Sequence, residues 1–115
     1  MTLRETQSLF AFRVHLLLAK AYELGYEVTL GDVYRDPRLH GTMGEKKGYG
    51  HSKSCHKIRL AIDLNLFKDG KYITNGDGHE DLGKWWKDGH PLARWGGDFT
   101  IKDFNHYSFE WGGNK

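Results

Sequence analysis

One cysteine, two prolines and no long apolar run set the first limits on this chain of 115 residues. With Cys55 alone, an internal disulfide and any C-x-x-C zinc site are excluded, which fits folding in a reducing cytoplasm. The longest apolar stretch, Val14 to Ala19, is interrupted by His15. It falls far short of the roughly 20 residues that span a bilayer, so no stable membrane insertion is expected. An amphipathic pattern follows Arg4 and Glu5 without a small-residue cleavage site, so no signal peptide is expected either. Charge of one sign is equally scarce. The net charge is +2, too small to argue for nucleic acid, and the cations are not interleaved with stacking aromatics.

Enough remains to build a core. Apolar residues make up 38% and aromatics 14%, a composition that folds rather than staying disordered. The length suits one domain, residues 1–115, with one modest core. Thr2-Leu3-Arg4-Glu5 matches a capping box, and Phe10, Val14, Leu17, Leu18, Ala21 and Leu24 recur at helical spacing. A helix over 3–24 is predicted, stopped by Gly25, with Leu9, Phe12 and Leu16 widening its apolar face and His15 partly buried. Tyr26, Val28 and Leu30 alternate as a short strand. Residues 32–57 show no period, and a loop this long in a small domain is usually functional or disordered. Lys68-Asp69-Gly70-Lys71 reads as a hairpin turn into a strand at 72–74. A second helix is predicted over 79–88, and 91–97 is read as irregular. A last strand covers 105–111, with Tyr107, Phe109 and Trp111 on its inner face, and the tail 112–115 is read as loose. The fold class is therefore α+β: a single small domain with an antiparallel sheet packed against helices.

The most informative stretch is Leu60 to Leu66, which alternates strictly. Leu60, Ile62, Leu64 and Leu66 fall on one side, and Ala61, Asp63 and Asn65 on the other. Asp63 thus interrupts an oily element with a carboxylate that needs compensation, and a metal ion is a strong candidate. His56 lies seven residues earlier. In a straight strand the two would stand roughly 23 Å apart, at about 3.3 Å per residue. They share an ion only if Lys57 to Arg59 turn the chain back. His106 lies opposite three aromatics as Asp63 lies opposite four aliphatics, so two strands of one sheet can present them to the same side. Two imidazoles, one carboxylate and an open position for water make a catalytic zinc set, although such donors also accept cobalt or manganese. Asp103, three residues before His106, is placed to move a proton on that water. His51 is a rival ligand or a substrate contact that spacing alone does not exclude. His15, His40, His79 and His90 are expected to be surface or core-satisfied residues.

Ser54-x-His56-x6-Asp63 resembles the S-x-H-x6-D signature of zinc peptidases that include D-alanyl-D-alanine carboxypeptidases and phage L-alanyl-D-glutamate endopeptidases. Trp95-Gly96-Gly97, followed by Asp103-Phe104-Asn105-His106, resembles the W-G-G…D-x-x-H segment of that family, and Arg35 matches its arginine after the first strand. The resemblance implies the hedgehog/DD-peptidase fold and zinc on His56, Asp63 and His106. It implies Asp103 as general base and acid, Arg35 on the scissile carbonyl and Ser54 on the substrate. Arg59 stands where the family commonly has glycine; the departure leaves the turn open and makes Arg59 a candidate substrate contact. The implied partner is the peptidoglycan stem peptide, cut by a monomer. Such endolysin-like enzymes are made in the bacterial cytoplasm and reach the wall in the periplasm once another protein permeabilises the membrane. A terminal carboxypeptidase, or a zinc-containing binding module without catalysis, are the alternatives.

Overall fold

The computed structural model describes residues 1–46 and 52–115. Helix α1 spans Leu3–Glu23, and its capping box forms: Glu5 N–H donates to Thr2 Oγ1, and the Glu5 carboxylate accepts from Thr2 N–H. Leu24 caps the helix, and Gly25 turns the chain at φ +92°, where a side chain would be strained. Strand β1 is Glu27–Leu30, and a single turn of helix, α2, is Pro37–His40. A short 3₁₀ helix at Cys55–Ile58 leads into β2, Ala61–Lys68. Asp69 and Gly70, both at positive φ, turn β2 into β3, Lys71–Tyr72. Then follow α3, Asp77–Asp88, β4, Ala93–Trp95, and β5, His106–Phe109.

The strands form one antiparallel open sheet in the order β1-β2-β5-β4, with β3 also on β2. The predicted alternation of β2 holds from Ile62 to Leu66, with Ile62, Leu64 and Leu66 buried and Asp63 and Asn65 only partly so, whereas Ala61, placed on the polar side, is buried as well. These aliphatics join Tyr107 and Phe109 of β5, Phe10, Leu17 and Ala21 of α1, and Leu82 and Trp86 of α3 in one core. Phe10 meets Trp86 and Phe109 edge to face, at centroid distances of 5.8 and 5.4 Å. Trp86 Nε1 donates to the carbonyls of both Arg94 and Ser108, so a core ring also ties β4 to β5.

Several local expectations need correction. Residues 93–95, read as irregular, form β4, because Trp95 and Ala93 find partners on β5 that no local period reveals. Helix α3 starts two residues earlier than expected, at Asp77, and β3 ends at Tyr72. Phe12 and His15 are exposed, so α1 buries a narrower face than its apolar residues suggest. The tail is not loose: Trp111 and Asn114 exchange backbone hydrogen bonds around Gly112 and Gly113, both at positive φ. His79 is core-satisfied, buried on α3 with its Nδ1 2.6 Å from the Tyr107 hydroxyl. Among the described residues, no helix is long and apolar enough to cross a membrane.

Candidate metal centre

Asp63 and His106 are direct cross-strand partners on β2 and β5, so the pleat sends both side chains to the same face. His56 reaches that face from the 3₁₀ helix. Its position depends on a reversal at Arg59, which sits in the left-handed region at φ 57° and ψ 36°. This is the conformation that glycine adopts freely and other residues adopt at about 1–2 kcal/mol. The Arg59 guanidinium lies 3.9 Å over the Tyr34 ring, a cation–π contact that offsets part of that cost. Arg59 is accordingly a turn residue packed on Tyr34.

Asp63 Oδ1 stands 3.1 Å from His56 Nε2 and 3.6 Å from His106 Nδ1. All three potential ligand atoms lie within 4.8 Å of one another. Two donors each about 2.0–2.1 Å from a tetrahedral ion are separated by about 3.3 Å, so the observed spacings straddle the required one. The ring of His56 supplies a second argument. Its Nδ1 is 3.2 Å from the Val33 carbonyl, which can only accept, so Nδ1 carries the proton and Nε2 presents a lone pair. That lone pair faces a carboxylate oxygen. The two attract only with a cation between them, either a second ring proton or a metal ion. An outer partner that fixes the tautomer in this way is what metal-binding histidines use. His106 Nε2, by contrast, is buried with no hydrogen-bond partner among the described residues, and the strand itself aims that ring.

Burial pushes the Asp63 carboxyl up, but hydrogen bonds and positive charge from protonated His106 and His56 rings outweigh it and hold it at about 2, as a cation between the donors would also do. Asp103 behaves oppositely. Burial, then the Asp63 negative charge, push it above the usual carboxylate range, against the pull of His106, His56 and Arg35. Its Oδ2 is 3.9 Å from His106 Nδ1, and its side chain is half exposed. It therefore stands beside the three donors without being one of them.

The surrounding chain places these groups closely. The Gly96 carbonyl anchors the 103–106 loop: it accepts from Asp103 N–H at 2.9 Å, and Asp103 O accepts from His106 N–H at 3.1 Å. A Cβ on Gly96 would lie 2.0 Å from Asp103 O and 2.8 Å from His106 Cβ, so only glycine fits. Trp95 Nε1 donates to the Phe104 carbonyl at 2.7 Å. Arg35 donates through Nη1 to Ser54 Oγ at 2.8 Å and through Nε to Asp32 at 3.4 Å. Ser54 Oγ also caps the 3₁₀ helix by accepting from His56 N–H. A cleft of about 590 Å³ opens on this face, lined by Arg35, Ser54, Asp103 and His106.

The structure thus brings together His56, Asp63, His106, Asp103, Arg35 and Ser54. His51 lies outside the described residues. Sequence reasoning missed Asp32, whose carbonyl also accepts from Asp63 N–H, the Val33 carbonyl, and the cleft residues Phe99, Asn114 and Lys115. A backbone carbonyl leaves no mark in a sequence, and Asn114 joins the cleft only through the two-glycine turn before it. No protein-family model matches the chain, and no curated protein is similar to it. A buried His-Asp-His group that could hold a metal ion, on an α+β scaffold, is what the structure defines.

Proposed function

We propose that this protein is a zinc-dependent peptidoglycan peptidase that cuts the stem peptide between L-alanine and D-glutamate, acting as a monomer on the cell wall. The observation that carries the reading is the His56 lone pair facing the Asp63 carboxylate at 3.1 Å, with His106, which lines the cleft, completing the three-donor set. Zinc suits two imidazoles and a carboxylate, and when bound it supplies a Lewis acid and lowers the pKa of its water to about 7. The chain's own residues do the rest. Asp103 Oδ2, raised above the usual carboxylate range, accepts a proton from the attacking water and returns it to the leaving amine. Arg35, held by Ser54 and Asp32, presents its fixed guanidinium to the developing oxyanion. Ser54 and the cleft wall orient the peptide.

The decisive experiment measures metal content and murein cleavage together. Wild-type protein is expected to bind one zinc and to release stem peptides with a new D-glutamate amino terminus from purified peptidoglycan, leaving L-alanine with a free carboxyl group, both identified by mass spectrometry. Asp103→Asn should keep zinc and fold yet lose activity by about 10²-fold or more. Release of free D-alanine alone would replace the endopeptidase with a carboxypeptidase. Stoichiometric zinc with no hydrolysis of any murein peptide would point to a binding module.

A further inference from the structure

Lys57 directly follows His56, is 8% exposed, and has its ammonium inside the protein. Lysine is almost never this buried without a partner, and an uncompensated internal charge is very costly. Here the compensation is made of peptide carbonyls. Nζ donates to Ser52 O at 3.0 Å, to Thr42 O at 3.2 Å and to Glu45 O. An ammonium has three N–H donors, and three carbonyls take them all. The acceptors come from positions 42 to 52, and Gly44 N–H donates to the same Ser52 carbonyl at 2.9 Å. The ammonium therefore occupies a carbonyl cradle of the kind that holds a coordinated cation, and ties Thr42 and Glu45 to Ser52.

Ser52 leads straight into Lys53 and Ser54, both of which line the cleft. Ser54 in turn takes the Arg35 guanidinium. His56 is anchored separately, by the Val33 carbonyl at its ring and by Arg35 N–H at its own carbonyl. We infer that Lys57 is a positioning residue whose ammonium, seated among the carbonyls of residues 42, 45 and 52, sets the substrate-binding wall at Lys53 and Ser54 independently of the metal. The effect on substrate rests on the peptidase reading; the cradle does not.

The test uses Lys57→Met, which keeps the stem and removes the charge, and Lys57→Ala with and without n-propylammonium to refill the cradle. Hydrogen exchange at the Gly44 amide, zinc content and peptide kinetics are read together. Expected for Lys57→Met are an unchanged zinc content, about tenfold faster exchange at Gly44, and a KM raised about tenfold with kcat changed less than about threefold. In Lys57→Ala, n-propylammonium should restore exchange protection and KM saturably, whereas tetramethylammonium, which has no N–H to donate, should not. If Lys57→Met does not fold, Lys57→Ala folded in n-propylammonium and then dialysed gives the same comparison. Gly44 exchange within about twofold of wild type in the amine-free variants overturns the proposal. Zinc lost in parallel with protection also overturns it, since the cradle would then serve the metal. Should wild type cleave no murein peptide, the exchange comparison alone decides, and the failure belongs to the peptidase reading.

Discussion

Arg59 is the residue where local strain and function meet. The reversal that brings His56 back to Asp63 requires a left-handed residue, and arginine holds that place with its guanidinium on Tyr34. Replacement by glycine removes the strain and the stacking together, whereas alanine keeps the strained Cβ and loses the stacking. Arg59→Ala should therefore be less stable than Arg59→Gly by about 1 kcal/mol in urea unfolding. Both should retain metal, because the Arg59 guanidinium is stacked on the Tyr34 ring and the donors are other residues. Asp63 is different. Its carboxylate faces both imidazoles, so Asp63→Asn is expected to lower zinc affinity by at least about tenfold, read by competition with a chelating dye.

At the scale of elements, the site depends on how closely two backbone segments approach. The turn after β4 passes beneath the loop before β5 with no room for a methyl group at Gly96. Gly96→Ala should displace Asp103 and His106 together. The expected outcome is a loss of about 1–3 kcal/mol of stability accompanied by weaker zinc binding, measured by denaturation and metal titration on the same sample. Gly83 plays a related part on α3, where a Cβ would strike the Trp95 ring at 2.3 Å. The helix thus packs flush on the residue whose indole holds the Phe104 carbonyl. Gly83, Trp95 and Gly96 together therefore set the spacing on which the D-x-x-H loop is built.

For the whole molecule, one buried core imidazole and the candidate metal centre each tie stability to solution conditions. His79, buried against Tyr107, has its pKa lowered from 6.5 to about 4 by burial. Its folded pKa lies below its unfolded value, so the unfolded chain binds the proton more readily. The contribution is full above pH 6.5 and declines as the pH falls toward 4. Urea midpoints of wild type should fall across that window, and His79→Gln should flatten this part of the profile. Metal binding acts on the global equilibrium too. At a zinc concentration about 100 times the dissociation constant, stabilisation is about 2.7 kcal/mol, or a melting shift on the order of 10 °C for a domain of this size. Chelator should remove that shift, and His106→Ala should abolish it.

The chain's own order of residues determined the long capped helix, the alternation of β2, the turn at Asp69-Gly70 and the α+β class, because caps, periods and turns are local signals that short segments carry by themselves. The same alternation exposed Asp63 as an acid out of place, and strand faces and motif resemblance made His56, Asp63 and His106 the candidate donors, with His51 left as a rival. Tertiary structure alone decided that β4 is a strand, that the tail folds back onto the cleft, that Lys57 is buried among carbonyls, and that Val33 fixes the His56 tautomer. Each of these rests on a partner distant in sequence or on a backbone atom every residue shares, and neither leaves a trace in side-chain pattern.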